Sequence, residues 1–581
     1  MNHSVRWTLP DIDTEGVERL ARQCGLERPA ARVLWARGLR EAGTVDPFLH
    51  PKLSNLEDPF LLSGMDAAVE RVLRAVRDGE RILIYGDYDV DGTSSIVILK
   101  LMLERLGASA SFHIPNRLKD GYGIQTDVLE EAARDGVKLL ISVDTGIRAL
   151  EPLRRAEELG LDVIVTDHHL PEEELPPAVA ILNPNRPGCA YPNKALCGAG
   201  VTFKLIQALM ERAGMPPDRI VKLSDSLLVL VAIATVADVV GLTGENRVMV
   251  KRGLEGLTRT RNKGLRALLA SAGLELGDPV SATDVGFRLG PRINAAGRMD
   301  HAADVIELFL TPDEGRAHEI AQRLDALNAE RQRTCEAIVE QIFGELGEPP
   351  LPPERAGLVF YDPEWHRGVV GIVANRVAEA YHRPALVLGR DGSTGMAQGS
   401  GRSIAGFHLL GVLETIGDVF ERFGGHRAAV GVTLRAERVD ELRERFNAAV
   451  VRALTHEELQ AEVVFDAPLD LRELTPGAAE QVLQMAPFGF GNPAPVFYVP
   501  GVELTEPVQA FGSMQDHLRV RLPGPQGRTL TAKAWRFGSR AQELAPGRRV
   551  DLALTVDQDL YSLKRGYAGW GVTLRDVRAA E

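Results

Sequence analysis

Acidic residues follow three predicted strands at the point where each strand ends. The segments are Asp87-Tyr88-Asp89-Val90-Asp91-Gly92, Asp144-Thr145-Gly146 and Asp167-His168-His169. Because the carboxyl ends of parallel strands meet at one edge of a sheet, at least five carboxylates and two imidazoles should converge there. Unpaired carboxylates at such spacing repel one another and take up protons unless a cation neutralises them. The pattern therefore predicts a divalent metal site.

The residue types indicate which metal this site would hold. Oxygen ligands with one or two imidazoles and no thiolate favour Mn²⁺ or Mg²⁺ over Zn²⁺. The alternation Asp87-x-Asp89-x-Asp91 predicts an extended turn with these side chains on one side. Asp238 follows a long apolar helix and is a further carboxylate that needs a partner. The alternative is that these aspartates only cap helices and turns.

Two divalent ions about 4 Å apart activate a water and stabilise in-line displacement at phosphorus. A carboxylate that bridges both ions is expected, and Asp144 is the predicted bridge because it stands alone on the central strand. Hydrolysis of a phosphodiester or phosphoanhydride is therefore predicted. This chemistry alone leaves DNA, RNA, cyclic nucleotides and pyrophosphate open as substrates.

The elements that position these residues alternate between strands and helices. Such alternation is typical of βαβ units with a mostly parallel sheet. Strands are predicted at 81–86, 110–114, 137–143, 162–166 and 179–182, and helices at 94–106, 126–134 and 147–159. A mostly helical region follows over 197–310, and a 3.6-residue periodicity over 312–344 predicts a long helix that bridges two domains.

The predicted fold class is α/β, with two α/β domains joined by a long helix and a C-terminal β-barrel or sandwich. The predicted parts are an N-terminal elaboration (1–75), a first α/β domain (76–310), a connecting helix and linker (311–350), a second α/β domain (351–458) and the β-rich domain (459–581).

Composition restricts the function classes. The chain has 581 residues and a net charge of −13, which argues against a protein that coats nucleic acid through global charge. Four cysteines without a C-x-x-C pair, and an N-terminus without a charged and apolar leader, predict a cytoplasmic protein. The most apolar stretch, 224–240, is short for a membrane span, so no membrane contact is expected.

The β-rich region carries residues that suit a nucleic-acid strand. Residues 501–581 contain 12 Lys and Arg against 9 Asp and Glu, a charge of +3, so the remainder carries −16. Basic residues recur along predicted strands and aromatic residues that could stack on bases lie nearby: Arg519, Arg521, Lys533, Arg536, Trp535, Phe537, Tyr561, Tyr567 and Trp570. The alternative is that these aromatic residues form the core of the barrel.

The motifs resemble those of the DHH phosphoesterase superfamily, which is named for a triplet like Asp167-His168-His169. The longer pattern is similar to the bacterial single-strand-specific exonucleases of that superfamily. The segments that carry the likeness are 87–92, 143–146, 197–201, 237–240, 290–298, 365–368, 424–431 and 489–492. The resemblance covers the chain from about Leu83 onward and implies a DHH domain, a DHH-associated domain and an OB-fold barrel.

The resemblance also implies a metal-ligand set for two Mn²⁺ or Mg²⁺ ions. The implied ligands are Asp87, Asp89, Asp91, Asp144, His168 and Asp238. His169 is expected beside this set or at the scissile phosphate, which makes the catalytic group Asp89, Asp91, Asp144, His168, His169 and Asp238.

Substrate contacts are expected between the two α/β domains. Ser400 and Arg402 lie in a Gly-Ser-Gly-Arg-Ser segment typical of a phosphate cradle and are assigned, with Arg117, to a terminal 5′-phosphate. Gly424 and Gly425 permit close backbone approach beside His426, which can donate to a phosphate oxygen. Backbone phosphates are assigned to Arg292, Asn294 and Arg298. The alternatives are a surface turn with a solvated arginine, a core histidine and a solvated helix face.

The predicted activity is processive 5′→3′ hydrolysis of single-stranded DNA to 5′-mononucleotides in DNA repair and recombination. Polarity and the preference for DNA over RNA rest on the resemblance alone, as do a monomeric state and the partners single-strand binding protein and a RecQ-type helicase. One alternative is a small-substrate phosphoesterase of the same superfamily, such as a nanoRNase, a cyclic dinucleotide phosphodiesterase or a pyrophosphatase. Another is a catalytically inactive DNA-binding scaffold.

Overall fold

The computed structural model describes residues 5–116, 123–392 and 394–580. A short strand and three helices come first: β1 (Arg6–Thr8), α1 (Thr14–Cys24), α2 (Arg28–Ala36) and α3 (Ala42–Leu49). Two 3₁₀ turns, Leu53–Asn55 and Pro59–Leu61, lead from these helices into the first α/β unit.

The first α/β unit begins with a helix that precedes the first strand of its sheet. Its elements are α4 (Met65–Asp78), β2 (Arg81–Gly86), α5 (Val90–Arg105), β3 (Ser109–His113), α6 (Thr126–Arg134), β4 (Val137–Val143), α7 (Leu150–Glu158), β5 (Asp162–Thr166), β6 (Ala180–Leu182), α8 (Gly198–Arg212), α9 (Pro217–Ala237), α10 (Gly244–Leu257), α11 (Lys263–Ser271), α12 (Ala282–Asp284), a π-helical turn (Val285–Leu289), α13 (Gly290–Met299) and α14 (Ala303–Leu310).

The five strands of this unit are parallel and pair in the order β3-β2-β4-β5-β6. Their apolar runs are buried on both faces, as expected of a parallel sheet covered by helices. The chain moves from β2 outward to β3 and then returns past β2 to β4, so the winding reverses between β2 and β4. In open α/β sheets a ligand binds in the crevice at this point. The residues after β2 and β4 therefore lie at the ligand-binding edge.

Helix α9 has the length and apolarity of a membrane-spanning helix. Its residues 227–235 are nevertheless buried, and the helix packs against α5, α8 and α10. The apolar sequence of α9 is thus accounted for by its place in the core of the first unit.

One helix connects the two α/β units, α15 (Glu314–Leu346). Ala317, Ile320 and Leu324 in its first half belong to the core of the first unit. Ile338 and Ile342 in its second half belong to the core of the next unit. A single helix therefore contributes buried side chains to both units.

The second α/β unit has a five-stranded mixed sheet. Its elements are β7 (Leu358–Tyr361), α16 (Val370–Tyr381), β8 (Ala385–Arg390), β9 (Ala397–Arg402), α17 (Leu409–Glu414), β10 (Arg422–Gly425), β11 (Ala429–Leu434) and α18 (Val439–Ala453). The strands pair in the order β10-β11-β9-β8-β7, and only the β7–β8 pair is parallel.

The C-terminal unit contains a seven-stranded sheet, two helices and one short strand, β12, outside that sheet. Its elements are β12 (Glu462–Val464), β13 (Ala467–Pro468), α19 (Pro476–Leu483), β14 (Val496–Glu503), β15 (Gln509–Phe511), β16 (His517–Pro523), β17 (Thr529–Ala534), β18 (Arg549–Gln558), α20 (Leu560–Lys564) and β19 (Trp570–Ala579). The sheet order is β13-β14-β18-β19-β17-β16-β15, and alternate residues of β16 are buried. The predicted architecture of two α/β units, a long helix and a C-terminal β unit is confirmed.

The N-terminal helices pack against the other end of the chain. Leu20 of α1 and Leu34 of α2 lie in the same core as Phe497 and Leu552 of the C-terminal sheet, and β1 pairs in parallel with β12. Helix α4 instead packs in the core of the first α/β unit. The predicted N-terminal elaboration, 1–75, is thus divided between two units, because the apolar faces of α1 and α2 are covered by strands more than 400 residues away in the chain.

Candidate metal centre and substrate cleft

The acidic segment after β2 starts a helix sooner than the sequence pattern predicts. Strand β2 ends at Gly86 and α5 begins at Val90, so Asp91 already lies in the first helical turn. Asp89 caps this helix, since its Oδ1 accepts hydrogen bonds from Asp91 N at 2.9 Å and Gly92 N at 3.0 Å. The predicted extended turn through Asp91 is therefore wrong. Alternation gives way to helical geometry, and Asp89 both caps the helix and faces the site.

The carboxylate of Asp91 lies at the N-terminus of α8. Gly198 N donates to Asp91 Oδ2 at 2.6 Å, and Ala199 N donates to Asp91 Oδ1 at 2.7 Å. A helix N-terminus is a favourable place for an anion because its first N–H groups have no partner within the helix. A Cβ at Gly198 would lie only 2.6 Å from Asp144 Cβ. The Cys-Gly-Ala-Gly motif therefore positions Asp91 and leaves room for Asp144.

Two residues at the site have left-handed backbone conformations. Asp144 directly follows β4 and has a φ of 58°, which aspartate tolerates better than most residues. Val239, which follows Asp238 at the end of α9, also has a φ of 58°, and this is costly for a β-branched residue. Such strain concentrates at functional sites. The strained backbone at Asp144 and Val239 therefore indicates that the loops after β4 and α9 belong to one site.

Carboxylates from three separate segments of the chain converge on one imidazole. His168 Nε2 lies 3.2 Å from Asp144 Oδ1, 3.7 Å from Asp238 Oδ2 and 3.8 Å from Asp91 Oδ2. Among the described residues, Asp144 Oδ1, His168 Nε2 and Asp238 Oδ2 are buried and have no hydrogen-bond partner. Buried polar atoms that converge in this way need a shared partner. An oxygen-rich set with one imidazole suits Mn²⁺ or Mg²⁺, so the residues fit the predicted metal.

Groups of ligand atoms within 4.8 Å of one another define this metal centre. One group contains Asp91, His168 and Asp238, a second contains Asp87, Asp89 and Asp144, and a third joins Asp144 to His168 and His169. The structure thus brings together every residue predicted as a metal ligand.

The electrostatics of the metal centre disfavour its ionised carboxylates. Burial, together with the surrounding aspartates, raises the pKa of Asp144 well above its usual value. Burial and the Asp91 and Asp89 carboxylates likewise raise the pKa of Asp238. Burial also lowers the pKa of His168, which favours the neutral imidazole that a metal requires. Divalent cations would offset the repulsion between these carboxylates.

Asp167, which the strand-end pattern places at this edge of the sheet without assigning it as a metal ligand, contacts both histidines that follow it. Its Oδ1 accepts a hydrogen bond from His168 N at 2.7 Å and lies 2.7 Å from His169 Nδ1, and its Oδ2 accepts from Ile147 N at 2.9 Å. Burial alone would raise the pKa of Asp167, but the His169 hydrogen bond and both imidazoles lower it. Burial would lower the pKa of His169, but this hydrogen bond and the charges of the Asp167, Asp238 and Asp91 carboxylates together raise it to about 9. Asp167 therefore orients the histidine pair.

The predicted phosphate cradle of the second unit is a strand and not a surface turn. Ser400 and Arg402 both lie on β9, an internal strand of its sheet. Gly371, in the first turn of α16, faces them: a Cβ built there would lie 3.3 Å from both Ser400 Oγ and Arg402 Nη2. A hydroxyl, a guanidinium and a helix N-terminus therefore surround one place, a combination suited to a phosphate. Gly371 was not predicted from the sequence.

His426 lies at the exposed turn between β10 and β11, so the core-histidine alternative is wrong. Gly425 has a φ of 146°, and a Cβ there would lie 2.3 Å from Ala429 O, so the turn requires glycine. Gly424 is exposed next to it. Partial desolvation lowers the pKa of His426, and so do the positive charges of Arg402, Arg148 and His169. The His426 turn of the second unit therefore faces the histidine pair of the first.

The three polar residues of α13 have different roles. Arg298 Nη1 donates to Gly368 O at 3.2 Å and so reaches the second unit, as its predicted place at the cleft requires. Asn294 Oδ1 accepts from Val90 N at 3.2 Å and thus supports the acidic segment. Arg292 instead pairs with Asp325 of α15 and donates to the carbonyls of Arg288 and Ser271. The guanidinium of Arg292 thus bonds neighbouring helices, and its contact with a backbone phosphate stays a prediction. Arg117 lies outside the described residues.

An aromatic patch is exposed on the C-terminal unit. Trp535, half exposed, has its ring centroid 5.4 Å from that of Phe511 and 4.9 Å from that of His517, and Arg519 stacks over Phe511 at 4.8 Å. Lys533 pairs with Asp559 at 3.1 Å, and Arg536 N donates to His517 Nδ1. Arg521 is partly exposed.

The other aromatic residues of the C-terminal unit divide between core and surface. Phe537 and Trp570 pack in the core, whereas Tyr561 and Tyr567 are exposed. The C-terminal aromatics are therefore partly core and partly surface.

Domain-family models match the three units. The model of the DHH family N-terminal domain covers residues 81–235, the DHHA1 domain 355–452 and the RecJ OB domain 465–566. Together with the carboxylate–imidazole cluster, these matches define a phosphoesterase of the DHH class. The single-stranded-DNA-specific exonuclease RecJ of Bacillus subtilis is 37% identical over 94% of this chain and 68% of its own length. The chain belongs to the RecJ family of exonucleases.

Other members of the family match a larger share of their own length. The single-stranded-DNA-specific exonuclease RecJ of Escherichia coli is 38% identical over 81% of this chain and 83% of its own. The crystal structure of Thermus thermophilus RecJ in complex with Mn²⁺ superposes with a TM-score of 0.83 at 31% identity, covering 100% of this chain and 80% of that chain. A Mg²⁺ complex of the same protein has a TM-score of 0.78. The resemblance predicted from the motifs is confirmed.

Proposed function

We propose that this chain is a Mn²⁺- or Mg²⁺-dependent exonuclease that degrades single-stranded DNA from the 5′ end and releases 5′-mononucleotides. The observation that carries the proposal is the convergence of Asp91, Asp144 and Asp238 on His168 Nε2, with buried ligand atoms that have no hydrogen-bond partner among the described residues. Crystal structures of RecJ relatives contain Mn²⁺ and Mg²⁺, which supports the same choice of metals here.

The ligand groups support two ions and a bridging role for Asp144. One ion would be held by Asp91, His168 and Asp238, and the other by Asp87 and Asp89, with Asp144 beside both groups. When bound, two such ions supply an activated water and stabilise the charge that develops on the phosphate. Asp167 holds the ring of His169, which we assign to the scissile phosphate.

We attribute the 5′→3′ polarity to recognition of a terminal 5′-phosphate by Ser400 and Arg402 on β9. A terminal 5′-phosphate held by the Ser400 hydroxyl, the Arg402 guanidinium and the first turn of α16 would place the adjacent phosphodiester toward the metal centre, across the cleft that His426 faces. An internal phosphodiester carries one charge less than a terminal phosphate and lies within a continuous strand. A site of this composition therefore favours chain ends.

Selectivity for single strands follows from the close approach of the two units beside the metal centre. Gly368 of the second unit lies against α13, since a Cβ at Gly368 would be 2.7 Å from Arg298 O. Gly297 of the same helix packs equally closely on Tyr88 O in the acidic segment. We expect a cleft closed this near to the ligands to exclude a duplex and to admit a single strand, which would enter past the Trp535 patch. We assign the enzyme to DNA repair and recombination in the cytoplasm, where its four free thiols are stable.

The test uses 5′-labelled and 3′-labelled single strands and the matching blunt duplexes, digested with Mn²⁺ or with EDTA. We expect immediate release of labelled mononucleotide from the 5′-labelled strand, a delayed release from the 3′-labelled strand, resistance of the duplexes and no reaction in EDTA. Immediate release of the 3′ label, or equal digestion of duplexes, would refute the assignment of polarity or of strand selectivity. Preferential hydrolysis of dinucleotides over long strands would indicate a small-substrate phosphoesterase.

A further inference from the structure

An aromatic side chain is held in solvent by a rigid turn of the C-terminal unit. Phe490 is 65% exposed, in the turn between α19 and β14. Asn492 in the same turn is 3% exposed and donates through Nδ2 to Met485 O at 2.9 Å and Pro487 O at 2.8 Å. Its Oδ1 accepts from Arg37 Nη1 at 2.7 Å. The backbone of the turn is therefore fixed while the ring of Phe490 is left in water.

The Phe490 turn docks on the loop that follows the metal ligand Asp238. Leu242 N donates to Phe490 O at 2.8 Å. The glycines on either side of Phe490 fit closely on the same loop, because a Cβ at Gly489 would be 2.7 Å from Leu242 Cδ1 and one at Gly491 would be 3.1 Å from Gly241 Cα. Leu242 is four residues from Asp238, so the Cα atoms of these two residues are at most about 15 Å apart. The turn thus presents its ring within a few nucleotides of the metal centre.

A second exposed apolar side chain lies on the same loop. Val239, next to Asp238, is 61% exposed and is held at a φ of 58°. Single exposed apolar side chains are common on protein surfaces. Here two of them, both on backbone held in a defined conformation, lie on contacting loops beside the ligands. An exonuclease must accept every base, and stacking on a ring suits this need because every nucleobase has a π-face.

We propose that Phe490 stacks on a nucleobase of the substrate strand as the strand passes from the C-terminal unit to the metal centre. The proposal rests on the proposed function, because it names a further contact to the same substrate. Phe490 acts as a substrate-positioning residue: the fixed turn holds one base in place while the phosphates beyond it enter the cleft. The contact is sequence-tolerant, unlike a hydrogen bond to a base edge.

The test compares Phe490→Ala, Phe490→Leu and Phe490→Trp with the unaltered full-length chain on oligodeoxynucleotides in Mn²⁺. We expect the KM for single strands to rise about tenfold in Phe490→Ala and nearly as much in Phe490→Leu, and to be restored in Phe490→Trp, since base–aromatic stacking carries this much binding. Val464→Ala, which trims another exposed apolar side chain, on β12, is the matched control and should match the unaltered chain.

A scan with single abasic nucleotides gives a readout that a structural defect would not produce. In the unaltered chain one abasic position near the 5′ end should raise KM to the level of Phe490→Ala, and in Phe490→Ala that same position should have no further effect. Equal KM values for Phe490→Ala and the unaltered chain, or an additive abasic effect at every position, would overturn the proposal. If Phe490→Ala folds poorly, the KM values of Phe490→Leu and Phe490→Trp test the proposal in its place. If the unaltered chain degraded no single strand at all, the proposed function would fail instead.

Discussion

At the scale of single residues, the metal centre combines two unfavourable features that cations would offset. Burial and the neighbouring carboxylates raise the pKa of Asp144 and Asp238, so their ionised forms are disfavoured unless cations neutralise them. Asp144 and Val239 also hold left-handed backbone conformations. Backbone and charge are therefore arranged for a bound state, and the stability of the rest of the unit maintains that arrangement.

Replacement of Asp144 by asparagine tests its role between the ligand groups. Asparagine tolerates a φ of 58° and preserves the side-chain shape, so the fold should be retained while one anionic ligand is lost. We expect the rate of single-strand degradation in Mn²⁺ to fall by at least about 100-fold, since even residues behind metal ligands contribute 10–100-fold. Asp135→Asn, in the exposed turn before β4, is the control. A rate within a factor of two of the unaltered chain would exclude the bridging role.

Asp167→Asn tests whether orientation of the histidine pair matters. The substitution places an amide N–H against the N–H groups of Ile147, His168 and His169, of which at least one loses its acceptor. We expect a 10- to 100-fold loss of activity and a higher Mn²⁺ concentration at half-maximal rate. Glu173→Gln, which removes an exposed carboxylate charge in the loop after the histidine pair, should retain both values. Unchanged Mn²⁺ dependence in Asp167→Asn would contradict the orienting role.

At the scale of elements, the sequence predicts those features that depend on local pattern. The strands 81–86, 137–143 and 162–166 are correct to the residue, because each is a short apolar run bounded by charged or glycine residues. The convergence of Asp87, Asp144 and His168 followed from the position of each residue after the carboxyl end of a parallel strand. The pairing of Arg292 with Asp325 was not predictable, because these residues are 33 positions apart and only the packed structure brings them together. The Asp89 cap and the Asp167–His169 contact are local, but the alternating aspartates predicted an extended turn, and the sequence does not define the orientation of the His169 ring.

Helix α15 sets the spacing between the two faces of the cleft, since it packs in the core of both units. Ala329 is exposed near the middle of this helix. We expect Ala329→Pro, which costs about 3 kcal/mol in a helix interior, to reduce single-strand degradation strongly and to change the dimensions of the protein in small-angle scattering. Ala329→Gly costs only about 1 kcal/mol and should remain close to the unaltered chain. Full activity of Ala329→Pro would show that contacts outside α15 maintain the spacing between the two units.

At the scale of the whole molecule, the two ends of the chain form one body. The N-terminal helices share a core with the C-terminal sheet. Arg247 of the first α/β unit donates hydrogen bonds to the backbone of both the N-terminal helices and the C-terminal unit. Arg247 is buried, donates to Phe48 O at 2.7 Å and Ala486 O at 2.9 Å, and stacks over Phe48 at 3.9 Å. Burial lowers the pKa of Arg247 to about 10. The Phe490 turn is thereby tied to the unit that holds the metal ligands.

Leu34→Ala tests this shared core from the N-terminal side. Leu34 is fully buried, so its truncation should lower the free energy of unfolding by about 2–5 kcal/mol. Tryptophan fluorescence during denaturation reports on this body, because four of the five tryptophans lie in it: Trp7, Trp35, Trp535 and Trp570. Leu9→Ala, at an exposed position, should be neutral. An unchanged transition in Leu34→Ala would mean that the N-terminal helices do not support the C-terminal sheet.

The pairing of the two ends has a consequence for synthesis on the ribosome. Helices α1 to α3 are complete once residue 49 is made, but the strands that cover them extend to residue 577. At about 5–20 residues per second, those helices wait roughly half a minute to two minutes for their partners. Their apolar faces lack these partners throughout that interval and are buried only once the strands of the C-terminal sheet have been made.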